Sequence, residues 1–184
     1  MSNIIVVAIV ILPAIILIYA ATRPSVFHVE RSIAIKATPE KIFALINDFR
    51  LWNEWTPYNN DPSMKKILSG STSGKGAVYA WEGNSEVGQG EISITDTTPS
   101  SRIVLDLHMI KPFEARNIVV FILKAANDST EVTWGLDGTR NLVAKVMGLF
   151  FSMDRMVGND FEVGLARLKS IAEKQGLDIT RRAK

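Results

Sequence analysis

"TPSSRIVLDLHMIKPFEARNIVVFILKAANDSTEVTWGLDG", residues 98–138, is the stretch whose reading decides the fold. Apolar runs rich in β-branched residues are separated by the breakers "KP" and "NDS", the pattern of consecutive strands joined by short turns. Side chains alternate between the two faces of a strand, so Ile103, Leu105, Leu107 and Met109 share one face while Asp106 and His108 share the other. Asn117, Val119, Phe121 and Leu123 share a parity in the second run, as do Val132, Trp134 and Leu136 in the third. Turns this short leave no room for a crossover, so the neighbours are antiparallel.

The same pattern extends upstream. Met64–Ser69, Ala77–Glu82 and Gly90–Thr97 read as strands, punctuated by "GSTSGKG", "GNSEVG" and "TPSS". "FHVERSIAIKA", from Phe27, is a further alternating strand, which brings the total to seven. Between it and the meander, "TPEKIFALIND" carries helix-start chemistry, with Thr38 as N-cap and Pro39 in the first turn. A shorter segment, "RLWNEWTPYNN" (residues 50–60), follows and ends its helix before Pro57. After the last strand come "NLVAKVMGLFF" and a long helix from Ser152 to about Lys174. On that helix Met153, Met156, Val157, Phe161, Leu165, Leu168 and Ile171 recur at three-to-four spacing. Gly158 and Gly164 weaken helix propensity by about 1 kcal/mol each relative to Ala, a cost that close approach to a neighbour would explain. One apolar sheet face and one apolar helix stripe need each other. The expected fold class is therefore α+β, a curved antiparallel seven-stranded sheet around a long C-terminal helix.

Composition excludes several functions. Apolar residues are 47% of 184 and the net charge is +2, so a core is affordable and no electrostatic pull toward nucleic acid exists. Cysteine is absent and there are two histidines, His28 and His108, far apart in sequence and without metal-site spacing. No metal and no cofactor are expected. "SGSTSGKGA" departs from a phosphate loop at both ends and reads as a flexible turn.

"IIVVAIVILPAIILIYAA", residues 4–21, is uncharged throughout. As a helix it would reach roughly 27 Å, near the thickness of a bilayer's hydrocarbon core, with Tyr19 and Arg23 at the interface. A cleaved signal would need a basic start and a small-x-small site, and "MSN" is not basic. The expectation is a single-pass membrane anchor over 1–24, a domain over 25–175 and a basic tail over 176–184. Arg23, Arg31 and Lys36 on the C-terminal side place that domain in the cytoplasm by the positive-inside rule.

Four stretches together resemble the SRPBCC (START-like, helix-grip) superfamily, and within it the polyketide cyclase/dehydrase-like group. They are "HVERSIAIKATPEKIFALINDFRLWNEWTPY", "GAVYAWEGN", "TPSSRIVLDLHMIKPFEARN" and "MDRMVGNDFEVGLARLKSIAE". The resemblance covers roughly Phe27 to Glu173. It implies a helix-grip fold with an apolar cavity between sheet and long helix, binding lipids, polyketides or other hydrophobic molecules. It carries over no catalytic residue.

On this reading the ligand-facing candidates come from three places. Trp52, Trp55 and Tyr58 would form an aromatic rim, with a core plug as the alternative for the tryptophans. The strands offer Tyr79, Trp81, Leu105, Leu107, Met109, Asn117, Phe121 and Trp134. Asn117 is the candidate polar group inside. The closing helix offers Met153, Met156 and Phe161, with Met147 nearby as a further adaptable contact. Asp106 and His108 belong to the outer face, and Glu82 and Glu91 to an edge pair. The expected function is tethered binding of a hydrophobic small molecule, the membrane and that ligand being the expected partners. An enzyme of the cyclase, dehydratase or hydrolase kind and an interaction module with a vestigial cavity are the alternatives. Converging, pKa-perturbed polar groups would mark the enzyme, and an exposed apolar patch the module.

Overall fold

The computed structural model describes residues 2–59, 61–85 and 87–182, with side chains described from Leu12 to Lys174. Helix α1 (Ser2–Thr22) leads into strand β1 (Val26–Ile35), helix α2 (Pro39–Ile46) and the one-turn helix α3 (Trp52–Trp55). The meander follows as β2 (Lys65–Gly70), β3 (Ala77–Glu82), β4 (Gln89–Thr98), β5 (Arg102–Lys111), β6 (Ala115–Ala126) and β7 (Ser129–Thr139). Helices α4 (Leu142–Met147) and α5 (Met153–Arg182) close the chain. The seven strands form one sheet in the order β1-β7-β6-β5-β4-β3-β2, every pair antiparallel. Each strand read from alternation is present, with its ends shifted by two residues or fewer.

Register explains why the sheet has one buried face. Leu105 pairs with Val119, Val119 with Leu136 and Leu136 with Val29, so the inward sets of four strands line up across the sheet. All four are buried. Helix α5 lies along edge strand β1, where Lys169 Nζ donates to Ala34 O (2.6 Å) and Lys36 N to Glu173 Oε1 (2.9 Å). This covers an edge that would otherwise offer unpaired backbone groups. Thr38 takes the extended backbone of an N-cap (φ −73°, ψ 152°) but its side chain makes no capping bond to the helix.

The membrane expectation is corrected. The α1 backbone is helical over Ser2–Thr22, but the side chains of residues 1–11, which include the first part of the apolar run, lie outside the described residues. Among the described residues no helix is long and apolar enough to cross a membrane. The single-pass localisation with a cytoplasmic domain therefore falls. The anchoring residues have other uses: Arg23 Nη2 donates to Tyr19 Oη (2.8 Å), with its guanidinium 4.9 Å from the Tyr19 ring centre. The C-terminal end of α1 meets α4, where Lys145 Nζ donates to Ala21 O (3.4 Å).

Candidate ligand site on the concave face

One end of the concave face is filled by aromatic rings. Trp134 stacks on Phe161 of α5 with ring centres 4.1 Å apart and planes within 12°. Phe121 lies 5.0 Å from Trp134 on the neighbouring strand, and Trp55 meets Trp134 edge-on at 5.5 Å. Trp55, Phe121, Phe161 and Leu105 are at most 2% exposed. Trp52 and Trp55 are thus buried in the core and not set at an exposed rim. The reason is local. Helix α2 ends with unsatisfied carbonyls, and the indoles supply the donors: Trp52 Nε1 to Ile46 O (2.7 Å) and Trp55 Nε1 to Leu45 O (3.2 Å). The segment after α2 is aromatic because a tryptophan can cap a helix end and fill a core with one side chain.

Helix α5 approaches the sheet at its glycines. A Cβ on Gly164 would sit 2.7 Å from Trp134 Cζ3 and 3.1 Å from Pro57 Cδ, and a Cβ on Gly158 would overlap the Arg31 guanidinium. Arg31 shares inward parity with Val29 and Ile33, yet it is charged. It bridges to Asp154 (Nη1–Oδ1 3.0 Å) and Glu162 (Nε–Oε1 2.8 Å), pinning the first turns of α5 to β1. Both bonds hold its pKa above the usual arginine range, and the same guanidinium holds the Asp154 carboxyl below the usual carboxylate range. The buried stripe of α5 runs through Phe161, Leu165, Leu168 and Ala172. Met153 and Met156 are corrected: both are exposed, Met156 at 59%, because the stripe leaves the sheet before the helix's first turn. Met147 is exposed as well.

The other end of the concave face is open. Tyr79, Trp81, Leu107, Met109 and Asn117 are half-buried. The rings of Tyr79 and Trp81 stack at 6.1 Å, and Trp81 lies over Gly90, where a Cβ would come 2.6 Å from Cζ2. Asn117 faces inward as its parity requires, opposite Leu107 on β5 and Gly138 on β7. The segment 56–58 runs along α5: Arg167 Nη1 donates to Thr56 O (3.2 Å), and the Tyr58 ring meets Trp134 edge-on at 6.4 Å. Tyr58 is exposed as a whole residue, but protein crowds its phenol oxygen. Desolvation, then the Asp160 charge, push that phenol above the usual tyrosine range. Desolvation likewise raises Tyr79 and raises the Asp160 carboxyl above the usual carboxylate range. Tyr79 Oη donates to Asn59 Oδ1 at 3.5 Å. Asn59 and Asp160 escaped the sequence reading. The signal for Asp160 was available, since three-to-four spacing places it with Val157 and Gly164 on the sheet-facing side of α5.

Groups read as outward-facing stay outside this site. Arg116 joins Asp106 (3.3 Å) and His108 (3.4 Å), and His108 meets Glu114 (3.1 Å), all on the convex side. Glu91 pairs with His108 on that same side, and Glu82 pairs with Gln89 rather than Glu91. His28 bonds Asp137 (2.7 Å) and Glu30 (3.1 Å), and these two partners raise its pKa in that order. A cleft of about 410 Å³ between the β3–β4 turn and the Lys111–Pro112 turn is lined by Glu82, Gly83, Asn84 and Gln89. None of Tyr79, Trp81, Leu107, Met109 and Asn117 lines it, so it is separate from the inward strand residues.

Comparison with known proteins agrees with this architecture. No curated protein matches the chain. Among solved structures, the di-domain ARO/CYC StfQ from the steffimycin biosynthetic pathway is 10% identical with a TM-score of 0.64, over 83% of this chain and 52% of that one. The Aha1 dimer from Colwellia psychrerythraea is 18% identical with a TM-score of 0.52, over 80% of this chain and 94% of that one. Protein CV1439 from Chromobacterium violaceum is 12% identical with a TM-score of 0.56, over 82% and 99%. At these identities the likeness is one of fold. The family model for "polyketide cyclase / dehydrase and lipid transport" matches residues 26–173, most of the chain and all seven strands. With its curved sheet closed by a long C-terminal helix, this chain belongs to that family, within the SRPBCC superfamily.

Proposed function

We propose that the domain binds one hydrophobic small molecule, lipid or polyketide-like, at the open end of the concave face between the sheet and α5. The observation that carries this reading is the asymmetry of that face. One half is packed shut by Trp55, Phe121, Trp134 and Phe161, while Tyr79, Trp81, Leu107 and Met109 continue the same apolar surface half-exposed. A concave, mainly apolar wall with few polar groups is the usual form of a small-molecule site.

Titration of the full chain with an anthraquinone probe and with a fatty-acid probe, followed by tryptophan fluorescence, tests it. Saturable binding of either is expected, with Trp81→Ala weakening it about tenfold or more through loss of an aromatic wall. No saturable binding of either probe, or unchanged affinity in Trp81→Ala, would overturn the reading. Asp160 supports a second, enzymatic reading of the cyclase or dehydratase kind, because a desolvated carboxyl with raised pKa beside a tyrosine suits general-acid work. On that reading Asp160→Asn abolishes turnover of a cyclisable polyketide while leaving its binding intact.

A further inference from the structure

The sheet has two edges, and they are finished differently. Strand β1 is covered by α5, whose Lys169 and Glu173 side chains bond backbone groups of Ala34 and Lys36. Strand β2 ends the other side of the sheet. It pairs with β3 residue for residue, from Lys65 opposite Glu82 to Gly70 opposite Ala77. Its far edge therefore presents a row of backbone donors and acceptors that the sheet does not use.

All six residues of β2 are exposed. Ile67 and Leu68 point to opposite faces and are exposed at 63% and 50%. Edge strands are commonly guarded by proline, by a bulge or by charge. No proline and no bulge interrupts "KKILSG", and its two lysines stand at one end. Lys66 is drawn back onto its own chain, where Nζ donates to Asn53 Oδ1 (2.7 Å).

We propose that β2 is a dimerisation edge, on which the β2 strand of a second copy of this chain pairs antiparallel, joining two sheets into one about a two-fold axis. The strand complements itself. A two-fold axis normal to a sheet passes through a pair of identical residues, and overlap is greatest with Ile67 or Leu68 on it. Centred on Ile67, Lys65 meets Ser69 and Lys66 meets Leu68; centred on Leu68, Lys66 meets Gly70 and Ile67 meets Ser69. Neither register sets lysine against lysine, the like-charge pairing that destabilises a sheet, whereas a parallel arrangement would. The assembly also closes, because α5 covers β1 in both copies and the joined sheet does not grow further. Leu68 stands opposite Tyr79, so the junction adjoins the open end of each concave face. The pairing does not depend on what that face binds.

The absence of cysteine makes a direct test possible. Sedimentation equilibrium is run on the full chain and on its Ile67→Lys/Leu68→Lys variant, and the single variants Ile67→Cys and Leu68→Cys are oxidised mildly. The wild type is expected to dimerise, and the lysine variant to do so about tenfold more weakly or worse, since either register then sets like charges opposite. A residue on the axis faces its own copy with Cα atoms about 4.5–5.5 Å apart, within disulfide reach. One of the two cysteine variants should therefore form a covalent dimer readily. Ile118→Cys, exposed on the convex face of β6, should not. A wild type that stays monomeric up to about 1 mM overturns the proposal, as does a dimer that the lysine variant leaves intact. Cross-linking of neither β2 variant, or of Ile118→Cys as readily as both, also overturns it. Should the lysine variant not fold, the cysteine variants decide alone.

Discussion

The two ends of the concave face are made from the same strands and differ in what covers them. At the closed end α2, α3 and the middle of α5 press Trp55, Phe121, Trp134 and Phe161 into one aromatic cluster. At the open end the strands continue through Leu107, Met109 and Asn117, while the first turn of α5 turns Met153 and Met156 to solvent. One end is therefore a core that sustains the fold, and the other is apolar surface that the fold leaves available. Burial, more than residue type, separates a stability residue from a proposed binding residue here.

Four substitutions probe that difference. Phe161→Ala has the largest expected effect. It empties the space against Trp134 and should cost about 3–5 kcal/mol in denaturant unfolding, whereas Leu107→Ala at the open end should cost about 1 kcal/mol for its partial burial and weaken ligand binding instead. Equal costs would erase the distinction between the ends. Gly164→Ala comes next. An exposed helix site would gain about 1 kcal/mol from this change, but here the methyl meets Trp134 and Pro57 and should destabilise by about 1–3 kcal/mol; a rise in stability would show that α5 stands further from the sheet.

Asp160→Asn has the smallest effect, and its sign depends on pH. The folded-state pKa of Asp160 lies above the ordinary value of 3.8, through desolvation. The folded state therefore holds this proton more tightly than the unfolded chain, and stability falls as pH rises from that ordinary value through the folded pKa. The variant should match the wild type well below pH 3.8 and exceed it at neutral pH, by under about 1 kcal/mol after solvent screening. A loss at neutral pH, read from unfolding curves at the two pH values, would mean that a cationic partner holds the carboxylate.

The strands were legible because a period of two persists over six to twelve residues in each, and a register error would turn Ile103, Leu105 and Val119 out to water. Gly158 and Gly164 were legible as points of close approach, since their propensity cost needed a cause, and Arg31 and Trp134 are that cause. Trp52 and Trp55 were not, because a four-residue helix has too few turns to define a face. What orients them is a pair of carbonyls at the end of α2. Met153 and Met156 fit the helical spacing perfectly well, but spacing does not say where along a helix the sheet stops.

Gly158 has a mechanical consequence. The Arg31 guanidinium lies in the groove that this missing side chain leaves, clamped between Asp154 and Glu162. Helix α5 is held to the sheet at two places, by the stacking of Phe161 on Trp134 and, nearer its N-terminus, by the Arg31 ion pairs. A side chain at position 158 would meet the Arg31 guanidinium, so either the guanidinium or the helix would have to give way. Relatives that differ at this position would then differ in how the N-terminal turns of α5 are tied to β1.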